Sequence, residues 1–221
     1  TSEWACPLAN PRRIIQLRRA VCMTRHRRRP RLKTIAFEHE LFILWLLAVE
    51  EEIGRYRLSK MLGVSEGVAR GILARMRKKG LIVVRRRAGT RASREGAREL
   101  LTLMKRSRLR LVEKLDEKVL GLGQEEVIFQ IAERSNRLGQ GIEQRDAAIK
   151  AGATGAVTFF FDGKTLRFPG VREPVSKRSP TTFEMLKKRL RMRKRDIVIL
   201  AFADTWWDAA RGGFAAVKTL A

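Results

Sequence analysis

Residues 56–96 constrain this chain more than any other stretch, because their chemical signals come in a fixed order: an apolar helical spacing, a glycine stop, a capping serine, a basic helical pattern, then two basic β-prone runs around a glycine. Leu58, Met61 and Leu62 recur at offsets of three and four, so they share one face of a helix. Gly63 follows, a residue that tolerates the positive φ at which helices end. Ser65 can cap the next helix by accepting a bond from an otherwise orphaned backbone N–H. In that helix Ala69, Ile72, Leu73 and Met76 make an apolar stripe, and Gly80 supplies the stop. Glu66, Gly67, Arg70, Ala74, Arg77 and Lys78 fall mostly on the opposite side.

After Gly80, a β-branched run (Leu81, Ile82, Val83, Val84) extends into Arg85, Arg86 and Arg87. Ala88-Gly89 can turn the chain and Thr90-Arg91-Ala92-Ser93 can return it, giving a hairpin with arginines at its tip. A run of arginines is most often a solvated edge strand, where charge also resists aggregation. Directly after two helices joined by a turn, the same run suits phosphates or the electronegative minor groove. The order is that of a helix-turn-helix followed by a wing, with Ser65 and the six polar or small residues of the second helix facing a major groove and Arg85, Arg86, Arg87 and Arg91 on the backbone or minor groove.

The residues 58–65, 72–82 and 93–96 (the last Ser-Arg-Glu-Gly) resemble the winged-helix domains of prokaryotic regulators of the MarR, ArsR and PadR type. The resemblance covers residues 37–117, about a third of the chain, and implies a DNA-binding fold without specifying the target. The whole arrangement is also similar to an archaeal winged-helix family with a C-terminal domain of unknown function.

Composition agrees with a polyanion partner. Lys and Arg number 48 against 23 Asp and Glu, for a net charge of +25 and an isoelectric point near 11.5. Residues 1–36 hold ten basic residues and one acid, and the segments 37–117 and 118–221 each hold nineteen against eleven. Charge in every segment would also suit a non-specific or architectural binder of DNA or RNA, which is the alternative function. No run of 18 apolar residues exists, so neither a spanning helix nor a membrane partner is expected. Two cysteines make no disulfide framework, and a cytoplasmic location is the simpler expectation.

Three domains are expected. Residues 1–36 form a basic arm, either a groove-tracking extension or a disordered one, with Met23 an alternative natural start. Cys6, Cys22, His26 and His39 lack the paired spacing of structural zinc, so no metal is expected. Residues 37–120 form the winged helix. Within it, residues 41–49 make a core helix carrying Phe42, Trp45, Leu46 and Val49, and residues 97–120 a long amphipathic linking helix suited to homodimerisation on a palindromic site.

Gly121-Leu122-Gly123 marks the boundary to a third domain, residues 121–221, and the overall fold class is α+β. Val127, Phe129 and Ile131 alternate as in a half-buried strand, and residues 141–151 read as a helix. Residues 155–161 and 165–168 form a hairpin around Asp162-Gly163, and residues 172–180 a loop. A basic helix over 183–195, an apolar strand over 197–202 and a helix over 207–220 complete it. Arg145, Asp146 and Lys150, with Asp204 beyond the last strand, resemble fittings of a small-ligand pocket for an unidentified effector; ion pairing is the commoner role for such residues. No nucleophile–base order, phosphate loop or carboxylate spacing demands catalysis, so no enzyme, catalytic residue or cofactor is expected. The function expected is a sequence-specific, DNA-binding transcription regulator.

Overall fold

A computed structural model describes residues 37–85 and 89–220. These residues form eight α-helices and two sheets, a mixed α+β chain that divides into two compact units at Leu103/Met104. The basic arm, Arg86, Arg87 and the cysteines lie outside the described residues.

The first unit opens with α1 (Phe37–Val49), which is buried from Glu40 through Ala48. That burial on every face is why its sequence carries no polar stripe. Two shorter helices follow, α2 (Arg55–Leu62) and α3 (Glu66–Lys78), then a hairpin of β1 (Ile82–Arg85) and β2 (Gly89–Ala92), then α4 (Arg94–Arg106). Lys79, just past α3, holds the nearly buried Glu40 of α1 through both carboxylate oxygens at 3.0 and 2.7 Å.

The helix expected over residues 97–120 ends at Arg106. Arg108 adopts φ +53°, and its N–H closes the last turn on Lys105 at 3.0 Å. Residues beyond it form β3 (Leu109–Leu115), paired antiparallel with β4 (Glu125–Ile131). The spacing misleads because the register shifts between Leu109 and Leu111, so Leu109, Leu111, Val112 and Leu115 are all buried without strict alternation. The boundary expected at Gly121-Leu122-Gly123 is accordingly the β3–β4 connection, inside the second unit, and the homodimer drawn from a long helix loses that basis.

The second unit is built on an antiparallel sheet in the order β3-β4-β7-β5-β6, with β5 (Gly155–Phe161), β6 (Leu166–Arg167) and β7 (Ile197–Ala203). β4 is buried on both faces rather than half-buried, because helices cover both sides. On one side lie α5 (Ile142–Lys150) and α8 (Trp206–Lys218), where Phe129 meets Phe214 edge-on at 5.1 Å. A Cβ at Gly213 would fall inside the Phe129 ring, so that close approach requires glycine. On the other side Val175 and Leu186 pack with Ile128, Phe159, Val198 and Leu200. These two come from α6 (Val175–Arg178), a short helix inside the expected loop, and α7 (Pro180–Arg189), which stops six residues earlier than expected.

Candidate nucleic-acid interface

The turn between α2 and α3 forms as its residues dictate. Gly63 takes φ +66°, and Ser65 accepts a bond from the Val68 N–H at 3.4 Å. Leu58, Met61, Leu62, Ala69, Ile72, Leu73 and Met76 are buried, which leaves the remainder of α3 to solvent. At 100° per residue, the line directly opposite the buried stripe is Gly67, Gly71, Ala74 and Lys78. Arg70 and Arg77 flank it on one side, Val68 and Arg75 on the other. Arg70, Arg75, Arg77 and Lys78 have no ion-pair partner among the described residues, whereas Glu66 lies 3.8 Å from Arg55. α3 therefore presents a narrow small-residue ridge between cations, about 20 Å long for its 13 residues.

Neither glycine of the ridge is required by packing among the described residues. Among the described residues, a Cβ at Gly67 would meet nothing within 4 Å, and one at Gly71 only the Arg75 guanidinium at 3.8 Å. Each costs about 1 kcal/mol of helix stability relative to alanine.

The hairpin is fixed at its base. Ile53 and Thr90 exchange two backbone bonds of 2.9 Å, and a Cβ on Gly89 (φ +118°) would stand 2.8 Å from the Ile53 carbonyl oxygen. Ser93 closes the other end, donating to Gly80 O at 2.6 Å and accepting from the Gly96 N–H at 2.9 Å as α4 begins. Of the expected wing cations, Arg85 is exposed but 3.3 Å from Glu52, and Arg91 is half-buried with its Nε unbonded among the described residues. The structure therefore brings Ser65, Glu66, Gly67, Arg70, Ala74, Arg77 and Lys78 onto one surface helix, and Arg85 and Arg91 onto the hairpin beside it.

Tyr56 (72% exposed), Val68 (51%) and Arg75 were not singled out by the sequence reading. Exposed apolar side chains at the starts of α2 and α3 show only once the buried stripe is known.

The second unit does not gather the expected pocket. Arg145 and Asp146 pair with each other at 3.0 Å within α5, Lys150 is exposed in its last turn, and Asp204 is exposed beyond β7. Among the described residues no hydrogen bond or ion pair joins Lys150 or Asp204 to that pair. Thr205 caps α8 and Trp206 is buried, so the segment after β7 serves the fold. Among the described residues no cluster of His, Cys, Asp and Glu could hold a metal, and no helix is long and apolar enough to cross a membrane.

Residues 122–220 match a family model described as a domain of unknown function, DUF4443. No curated protein matches the chain. A solved hypothetical protein from the archaeon Pyrococcus horikoshii OT3 has a similar fold, with a TM-score of 0.61 and 23% identity over 85% of this chain and 91% of that one. Both findings fit a prokaryotic protein with a C-terminal domain.

Proposed function

We propose that residues 37–106 form a winged helix-turn-helix that binds double-stranded DNA and regulates transcription, with α3 in the major groove and the β1–β2 hairpin on the adjoining backbone or minor groove. One observation carries this reading: the exposed ridge of α3 contains two glycines that no packing among the described residues requires, bordered by cations with no ion-pair partner among those residues. A groove about 12 Å wide admits a helix, and a ridge without Cβ atoms lets its backbone approach base edges. Arg70 then reaches a guanine edge, a contact that supplies about 1–3 kcal/mol of discrimination, and Val68 offers a surface for a thymine methyl.

The net charge of +25 favours a second reading, sequence-independent binding of DNA or RNA. Selection from fragmented source-genome DNA at about 0.2 M salt separates the two, since purely electrostatic affinity collapses there. Enrichment of one short site, with discrimination reduced by Arg70→Ala, supports the regulator. Flat recovery supports the second reading, and a palindrome in the site would indicate two chains bound together.

A further inference from the structure

The most cationic run of the chain is residues 187–195, seven of whose nine residues are Lys or Arg. Its first part belongs to α7, where Arg189 is held by Glu113 at 3.1 Å and Glu117 at 3.8 Å. Beyond Leu190 the chain leaves the helix. Arg191, Arg193, Lys194 and Arg195 are all exposed and have no ion-pair partner among the described residues.

These four residues sit on a built loop. Asp196, fully buried, accepts from the Arg193 N–H at 2.9 Å, the Glu133 N–H at 3.2 Å and Gln130 at 2.9 Å. Arg195 donates its N–H to Phe161 O at 2.8 Å with φ +73°, and its carbonyl accepts from the Ser135 N–H at 3.2 Å. That last bond sets the turn 133–137 alongside, at the same end of the sheet. In this turn burial lowers the pKa of Arg134, and the neighbouring charges of Arg137 and Arg108 lower it further. The Arg134 Nε is buried with no bonding partner among the described residues. Like charges are thus held together by a scaffold of main-chain bonds.

We propose that this end of the sheet is a second nucleic-acid-binding surface, on which Arg134, Arg191, Arg193, Lys194 and Arg195 grip the sugar–phosphate backbone without reading bases. Arginine predominates, and its planar fork matches phosphate oxygens. An anionic membrane fits less well, because interfacial binding draws on apolar insertion. The exposed large hydrophobic residues among those described are Tyr56, Val68, Val83, Val84, Leu122, Ile142 and Ile149, and none lies in segments 133–137 or 190–196. The proposal does not depend on the role of α3.

The test is the salt dependence of binding of the full chain to a random-sequence duplex, comparing wild type with R191Q/R193Q/K194Q. These changes keep every backbone bond of the loop. The slope of log K against log[salt] is expected to fall by about 0.9 per lost phosphate contact, about 2–3 in all, with the unfolding midpoint unchanged. An unchanged slope and affinity overturns the proposal. So does wild-type binding to vesicles of anionic lipid that the triple variant loses while its duplex binding stays intact. R70Q/R77Q measured in parallel keeps the two surfaces distinguishable: loss of site discrimination there with an unchanged triple variant rejects this surface and leaves α3 in place.

Discussion

Arg110 of β3 donates to Asp196, the residue before β7, at 2.6 Å, and so ties two strands together across the intervening β4. Gln130 of β4 joins the same carboxylate oxygen at 2.9 Å. Removing one partner of a buried charged pair leaves the other uncompensated, at a cost of about 3–5 kcal/mol. Asp196→Ala is therefore expected to lower the stability of the second unit by that amount in urea unfolding followed by tryptophan fluorescence. A loss below about 1 kcal/mol would show that this network is dispensable.

The two glycines of α3 give a prediction with opposite signs for stability and binding. Gly67→Ala and Gly71→Ala are each expected to stabilise the chain by up to about 1 kcal/mol. Both are expected to weaken binding to the selected duplex, because a methyl group then holds the helix away from the groove. Tight binding by the stabilised double variant, measured by anisotropy, would remove the reason given for these residues.

At Gly213 the same substitution has the reverse effect. The added methyl overlaps the Phe129 ring, and overpacking costs about 1–3 kcal/mol, more than the helix-propensity gain. A lowered melting temperature for Gly213→Ala, against a raised one for Gly67→Ala, checks both packing statements in one series.

Asp162, in the turn between β5 and β6, titrates low. Burial pushes its pKa up, but the Thr165 N–H, the Arg167 guanidinium and the Lys164 N–H outweigh burial and bring it from 3.8 to about 2. The folded value lies below the unfolded one, so the contribution is complete above pH 3.8 and disappears as pH falls through 2. It amounts to at most about 2 kcal/mol. Asp162→Asn is expected to lose less stability than wild type between pH 5 and pH 2. Equal losses in the two chains would assign the acid sensitivity to other carboxylates.

Local chemistry made the first unit legible. The Gly63 turn, the Ser65 cap, the Ala69–Met76 stripe and the Ser93 entry to α4 each depend on residues within a few positions, and each occurs as the sequence implies. The hairpin at Asp162-Gly163 was readable for the same reason. β3 was not, because its apolar spacing fits a helix until β4 supplies its hydrogen bonds from across a connection. Likewise the basic segment after α7 continues a helical pattern in sequence. Leu190 instead turns extended and buried, and Gln130 holds the Arg191 carbonyl at 3.0 Å. The burial of Asp196 depends on partners more than fifty residues apart, and Arg134 is brought near Arg108 only by the β3–β4 pairing.

The two main-chain bonds between Ile53 and Thr90 also bear on how such a chain can diverge. They fix the hairpin where it leaves the core through atoms every residue has, so they survive almost any change of side chain nearby except at Gly89. Insertions between Arg85 and Gly89 are therefore expected to leave these two bonds in place. A lineage can vary the length and charge of the hairpin tip at nearly constant stability, while the α2–α3 pair stays as it is.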